Sequence, residues 1–462
     1  MTTLYGAPDV QAGPESWPFA PIEELDCYLE TAAEPSLVQL ETHVQGHLDP
    51  AALASALAEA LAADPAARRH LVATSRWRRR LCWQALVPGG RAGAALTVIS
   101  WETPEDLTAL RDRLSAWPIP LRDGAVRLIL GAGPERDVVI LQTHHAAFDG
   151  ISSVTLLAAI CAAYRRHARV AAASQPGAGS GPPPVIPPMI PPARPTQPAG
   201  PARSSRLERL RVPRVPGPVT RIAPQGMEPG RPGYGSVRRR VVVPRPARHG
   251  SGPFPTVNDL LVTALILAVD QWNAAHGQRG GLIRIGIPVN NRDQRHRWAG
   301  QGNQTRLIRV TARPGERADA AALLSRVSAQ TRAARQQPRP GLDAASRLLA
   351  TGWAPTGVKR RAARLVQLLA TPVGTDTSVI SNLGIVPDPP SFSGNGQEPL
   401  WFSGPARMPR GLGIGAATVG GQLHLCVHYR HALLDQEAAE RFTALYCRAL
   451  DELAGLPQGR LA

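Results

Sequence analysis

Along the 462-residue chain, apolar positions switch repeatedly between the two-residue period of a strand and the longer period of a helix. Ser36 to Gln45 reads as a strand, and Pro50 to Ala63 (PAALASALAEALAA) as an alanine-rich amphipathic helix. Ala125 to Leu130 and Asp137 to Thr143 (DVVILQT) are strands. The second is almost wholly apolar, which predicts burial on both faces. Ile151 to His167 then carries a helical pattern. The later half repeats the alternation. Ser236 to Val243 and Leu282 to Val289 read as strands, Thr256 to Ala275 and Ala318 to Gln336 as helices. Thr377 to Ile380 is a further strand, and Gly411 to Val419 and Gln422 to Arg430 form a hairpin turning at Gly420-Gly421. Asp435 to Ala454 closes the pattern as a helix. Helices and strands interleave in both halves, so the fold class is α/β (α+β), in two units of similar size. No sequence repeat relates them.

One segment divides the units. Gly181 to Pro201, GPPPVIPPMIPPARPTQPAGP, holds ten prolines and reads as an extended connector. Residues 201 to 250 add twelve arginines against two acids. A solvated continuation of the linker is the plainer reading of that stretch, and a docking face the functional one. The expected organisation is therefore an N-terminal unit at 1–175, a Pro/Arg-rich linker at 176–235 and a C-terminal unit at 236–462.

Charge sharpens the picture. Lysine plus arginine number 52 against 35 acids, a formal net charge of +17, yet Lys359 is the only lysine. An Ala-, Arg-, Gly- and Pro-rich composition fits translation from GC-rich DNA. An acidic or phosphate-bearing partner is the functional alternative, because a basic surface speeds encounter with anions. Aromatic residues are only 5% and no nucleic-acid-binding motif is present, so nucleic acid is not the expected partner. Five scattered cysteines without a CxxC pair argue against a disulfide framework or a zinc site. The N-terminus lacks a signal-peptide pattern, and the longest apolar run, Leu260 to Val269, is too short to span a bilayer. A cytoplasmic protein is expected. No basic amphipathic helix is evident that would mark a membrane anchor.

The residues that carry chemistry are His144-His145-Ala146-Ala147-Phe148-Asp149-Gly150, between a buried strand and a helix. Rigid elements on both sides hold such a loop still. Histidine suits proton transfer near neutral pH, and two adjacent histidines on extended backbone cannot both face one pocket. Structural roles compete: Asp149 is a natural N-cap and Gly150 a turn residue. No His or carboxylate lies four residues along a helix to complete a metal set.

The segment resembles the HHxxxDG signature of the condensation-domain superfamily, which includes nonribosomal peptide condensation domains, polyketide-associated acyltransferases and wax ester synthases. Ala20-Pro21-Ile22-Glu23-Glu24-Leu25 followed by VQGHLDPAALASALAEAL is similar to that family's opening strand and helix. TVNDLLVTAL resembles the helix that opens its second half, IGIPVNNR its strand ending in arginine, GNQTRLIRV the strand after it, and Ser381-Asn382-Leu383-Gly384 its crossing segment. These matches keep the family's order across nearly the whole chain. The resemblance implies two chloramphenicol acetyltransferase-like subdomains in a V-shaped pseudo-dimer with a central substrate tunnel. It implies that His145 is the general base and that His144 is structural, turned into the core. Asp149 pairs with Arg292 to hold the loop, and Gly150 lets the chain turn into the helix. Asn303, Ser381 and Asn382 are the further residues expected along the tunnel. No metal and no resident cofactor are implied.

The expected function is a stand-alone acyltransferase forming an ester or amide in specialised metabolism. Its donor would be an acyl thioester on phosphopantetheine, carried by an acidic carrier protein or by coenzyme A. Its acceptor would be a small or carrier-bound amine or alcohol, and a monomer would suffice. One alternative is a wax ester synthase-like enzyme using long-chain acyl-coenzyme A. Another is a non-catalytic module that binds carrier proteins and recruits other enzymes, although such members typically lose motif residues that are all present here.

Overall fold

A computed structural model describes residues 16–64, 66–72, 77–86, 96–173, 219–226, 233–244, 255–278, 280–292, 298, 302–336, 352–396 and 398–455. In chain order the first half holds β1 (Ser16–Pro18), α1 (Pro21–Leu29), β2 (Leu37–Gln45), α2 (Pro50–Ala63), β3 (Arg69–Leu71) and β4 (Cys82–Ala85). It continues through β5 (Leu96–Ser100), α3 (Pro104–Ser115), β6 (Val126–Ala132), β7 (Arg136–His144) and α4 (Gly150–Ala173). The second half holds β8 (Tyr234–Val242), α5 (Val257–Ala275), β9 (Ile283–Asn290), β10 (Thr305–Ala312), α6 (Ala320–Gln336) and α7 (Thr356–Gly374). It ends with β11 (Ser378–Ile385), β12 (Leu400–Ser403), β13 (Leu412–Val419), β14 (Gln422–Arg430) and α8 (Gln436–Ala454).

Local chemistry sets several of these starts. Asp49 caps α2 by accepting from the N–H groups of Ala51 and Ala52, with Pro50 at the first helical position. Thr256 and Asp259 cap α5 reciprocally. Strand β7 has both faces covered, as its composition predicts. Val139 and Leu141 join the core under α2 and α4, while Val138 and Ile140 join a separate cluster with Leu107, Leu110 and Leu114 of α3.

The strands form a five-stranded sheet in the order β12-β2-β7-β6-β5, a six-stranded sheet β10-β9-β11-β13-β14-β8, and a small sheet β1-β4-β3. Strand β12 comes from the second half of the chain but pairs antiparallel with β2 of the first, Leu400 opposite Thr42 and Ser403 opposite Gln39. The chain therefore exchanges structure between halves, which short-range patterning does not reveal. Helix α7 likewise packs on α1: Lys359, fully buried, donates to the Arg79 carbonyl at 2.7 Å and lies 3.8 Å from Glu24.

Three expectations change. Residues 219–226, assigned to the linker, pack into the second half: Ile222 and Ala223 are buried, and Trp272 Nε1 donates to the Ala223 carbonyl at 2.9 Å. The proline-rich run itself lies outside the described residues. Ala20-Pro21-Ile22-Glu23-Glu24-Leu25 begins helix α1 rather than a strand, with the Ala20 N–H bonded to Glu23. Helix α7 is a basic amphipathic helix after all, exposing Val358, Leu365, Val366 and Leu368 beside Arg360 and Arg361. Among the described residues no helix is long and apolar enough to cross a membrane.

A buried charge cluster ties the halves together. Glu41 on β2, 1% exposed, accepts from Arg111 Nε of α3 at 3.1 Å and from Arg238 Nη2 of β8 at 2.7 Å. Burial pushes this carboxyl up, but Arg238, Arg111 and His43 outweigh it and hold Glu41 well below the ordinary value of 4.5. On β14, burial drops both His424 and His428 to about 4. All three groups have depressed values in the folded state, so each stabilises above its unfolded value and loses that contribution on acidification. Unfolding free energy is expected to fall from pH 6.5 toward pH 4 as the unfolded chain protonates the two histidines, and to fall further below pH 4.5 through Glu41. Urea titrations from pH 7 to 3.5 measure this; a flat profile would exclude these groups as the origin of acid lability.

Candidate active site

The loop from His144 to Gly150 leaves the central strand β7 and enters α4. Its two histidines diverge. The His144 ring is fully buried; its Nδ1 accepts from the Ala146 N–H at 3.1 Å and its Nε2 lies 3.0 Å from Glu30 Oε2. Because Nδ1 is an acceptor, the proton sits on Nε2 and is donated to Glu30. Burial raises the Glu30 carboxyl, but the hydrogen bonds from His144 and the Ser36 N–H, with the Arg407 charge, more than offset it, leaving Glu30 below the usual carboxylate range.

His145 turns the other way and lines a cavity of about 240 Å³. Its Nδ1 lies 3.0 Å from the Phe148 carbonyl oxygen. A carbonyl only accepts, so Nδ1 carries hydrogen and the neutral ring has its lone pair on Nε2. The backbone of His145 is fixed from both sides. Its N–H donates to the Ser36 carbonyl at 2.8 Å, and its carbonyl accepts from Asn303 Nδ2 at 3.0 Å. Asn303 Oδ1 in turn accepts from the Thr305 N–H and hydroxyl.

Asp149 occupies the hinge of this arrangement. It caps α4, accepting from the Ser152 N–H at 2.9 Å and hydroxyl at 3.0 Å. The same carboxylate meets Arg292 in a two-pronged pair, 2.6 Å to Nη1 and 3.3 Å to Nη2, and accepts from the Gln304 N–H at 3.0 Å. The capping and pairing readings of Asp149 thus hold together. Both side chains are nearly inaccessible, at 1% and 3%. Arg292 also donates to the Gly302 carbonyl at 2.8 Å, drawing the segment before β10 onto the loop.

Gly150 serves packing rather than an unusual turn. Its φ is not among the positive ones, but a Cβ there would sit 2.7 Å from Leu383 and 2.9 Å from Phe402. A second cavity of about 450 Å³ shares Gly150, Pro288, Thr305 and Ser381 with the first. Ser381 lies at that shared wall. Asn382 does not reach the His145 cavity: it lines the second one, and its Oδ1 accepts from the Gly384 N–H at 2.8 Å.

Sequence reading missed Arg69. Buried on β3, it donates to the Ala147 carbonyl within the loop, lies 3.5 Å from Glu23, and stacks its guanidinium over Trp83 and Phe148 at 5.2 and 5.7 Å. Burial lowers its value, and the nearby carboxylates only partly restore it. No motif marks this residue in a chain so rich in arginine.

With this geometry in hand, the comparisons are specific about fold. No family model matches the chain. It is 28% identical over 426 residues, 88% of this chain and 93% of the relative, to an uncharacterized protein of Mycobacterium tuberculosis found in two strains. The epimerization domain from the third module of tyrocidine synthetase B superposes with a TM-score of 0.56 at 15% identity, covering 96% of each chain. The cyclization-docking bidomain of a Sorangium cellulosum nonribosomal peptide synthetase gives 0.59 at 14%, over 98% of this chain and 88% of that one. The starter condensation domain of rhizomide synthetase, in complex with C8-CoA and Leu-SNAC, gives 0.58 at 13%, over 97% of each. The fold is that of condensation domains.

Replacing Arg292 with Leu strands the Asp149 carboxylate in a buried site, at a cost of about 3–5 kcal/mol. Gly150→Ala forces Leu383 and Phe402 apart and costs about 1–3 kcal/mol. Equilibrium urea unfolding measures both; a loss below 1 kcal/mol for Arg292→Leu would show the pair to be dispensable.

Proposed function

We propose that the protein is a condensation-type acyltransferase in which an amine or hydroxyl attacks an acyl thioester with His145 as base. The carrying observation is the His145 ring itself: Nδ1–H is committed to the Phe148 carbonyl while the ring lines the cavity, which leaves Nε2 as the proton acceptor. The reaction that fits is short. The nucleophile's proton passes to Nε2 as its lone pair adds to the thioester carbonyl. The tetrahedral intermediate collapses, the carbon–sulfur bond breaks, and the departing thiolate takes the proton from the imidazolium. Holding nucleophile and thioester together in a confined cavity supplies much of the barrier reduction. Asp149, Arg292 and Arg69 act by positioning, since each contacts the loop; Asn303 holds the His145 carbonyl and also lines the cavity. The donor is proposed to be a phosphopantetheine-linked acyl group, on an acidic carrier or coenzyme A, which suits the formal charge of +17. Nonribosomal peptide-like metabolism is the setting that the fold supports.

A second reading, a long-chain acyl-coenzyme A:alcohol acyltransferase, draws on the exposed apolar and basic face of α7, which suits a lipid interface.

One assay separates them. Purified protein is incubated with pooled acyl thioesters and pooled amines and alcohols, with products read by mass spectrometry and thiol release followed in parallel. The expected result is a new ester or amide, with the rate reduced about 10²–10⁴-fold in His145→Ala. Full product formation by a folded His145→Ala variant would remove His145 as the base. Product only from long-chain acyl-coenzyme A and alcohols would select the second reading.

A further inference from the structure

Two arginines line the cavity beside His145 with few acceptors among the described residues. Arg407 and Arg410 both line it, carried on the turn that leads into β13, where the Gly411 N–H bonds back to the Arg407 carbonyl at 3.0 Å. Arg407 is 8% exposed and weakly engaged. Its Nη1 is 3.9 Å from Asp26 Oδ1, its Nη2 donates to the Asp26 carbonyl at 3.3 Å, and its Nε is buried with no partner. Arg410 makes no hydrogen bond and no ion pair among the described residues. Asp376, whose charge acts on Arg410, is already paired with Arg284 at 2.8 Å and Arg309 at 2.9 Å. One carboxylate on the cavity wall, Asp26, thus faces two guanidinium groups. Burial lowers the Arg410 value, and neighbouring Arg407, Arg309 and Arg221 add to the effect against Asp376. A partly buried guanidinium without a protein acceptor keeps free donors facing the cavity, which a bound carboxylate takes up with two parallel hydrogen bonds.

We propose that Arg410, supported by Arg407, is an anion subsite within the His145 cavity, so that one of the two substrates carries a carboxylate that enters this cavity with its reacting atom. This rests on the acyl-transfer reading of His145 and names a substrate class for it. The confinement decides which anion is meant. Arg410 and His145 wall the same cavity of about 240 Å³, so an anion on Arg410 occupies the space that also receives the reacting groups. The phosphates of coenzyme A or of a carrier's prosthetic arm hang at the far end of the pantetheine from the sulfur and do not fit that requirement. The carboxylate therefore belongs either to the acceptor, as in a free amino or hydroxy acid, or to the acyl chain, as in a half-thioester of a dicarboxylic acid. Ile22, Val38, Leu307, Val379, Phe402 and Ile414 supply apolar wall around it, which suits an apolar body bearing one charged end.

The test uses thioesters of N-acetylcysteamine, which lack phosphate, in a two-by-two design. Octanoyl and suberyl thioesters are each paired with leucine and with leucinamide, using wild type, Arg410→Gln and Arg410→Lys. The wild type is expected to prefer the carboxylate-bearing member on one side, acyl or acceptor, by about tenfold or more in kcat/KM. Arg410→Gln should erase that preference mainly through KM, and Arg410→Lys should retain part of it. Equal wild-type kcat/KM for charged and neutral partners, or an equal loss on both in Arg410→Gln, overturns the subsite. If wild type transfers none of these pairs, thermal-shift titration with octanoate against octanamide still decides. Stabilisation by octanoate alone, absent in Arg410→Gln, upholds the anion subsite while acyl transfer fails. No difference between the two ligands rejects it.

Discussion

The Asp149 carboxylate is the constraint on which the site depends. It is the N-cap of one helix, the counter-ion of an arginine from the other half, and the acceptor for a backbone N–H ahead of β10. Each of these bonds alone is ordinary; together they make one side chain the point where three segments are registered. Because the carboxylate and Arg292 are both removed from water, their positions tolerate little freedom. The loop between strand and helix inherits that rigidity, and the His145 ring is aimed by it. In the proposed reaction the base needs its lone pair held where the proton will be, and Asp149 and Arg292 do that holding from outside the His145 cavity.

The two histidines show how neighbouring side chains of one type take opposite roles. His144 donates a hydrogen bond to Glu30 and accepts one from the loop's own backbone, so it behaves as a buried brace. His145 spends one nitrogen on the Phe148 carbonyl and keeps the other. Chain direction separates them, and hydrogen-bond partners fix the tautomers. Arg69 completes the brace from behind, gripping the Ala147 carbonyl between two aromatic faces.

Much of this was legible in the sequence. The run Asp137 to Thr143 announced a doubly covered strand, Pro50 to Ala63 a helix with those same bounds, and Gly420-Gly421 a hairpin, because each rests on local periodicity or turn chemistry. His144 to Gly150 stood out since strand, loop and helix signals meet there. What escaped was non-local. Residues 219–226 have no strand or helix pattern, yet Ile222 and Ala223 are buried by a helix fifty positions away. Arg69, Arg407 and Arg410 are unremarkable among so many arginines until burial and partners are known. Gly150 was read as a turn residue, although its purpose is the proximity of Leu383 and Phe402, which lie far along the chain. Asn382 was grouped with Ser381 as part of one crossing segment, but successive residues of a strand face opposite ways, so Ser381 reaches both cavities and Asn382 only the second.

The exchange of β12 has a consequence for how the chain reaches this state. Until Leu400–Ser403 arrives, β2 is the bare edge of the first sheet, with unpaired N–H and C=O groups along Gln39 to Thr42. The strand that covers it is separated from β2 by more than three-quarters of the sequence. A ribosome therefore releases almost the whole second half before the first can close. Such late, long-range closure slows folding and leaves a sticky border exposed while it proceeds. The two halves are joined less like beads on a string than like a box whose lid is cut from the opposite end of the same sheet of material.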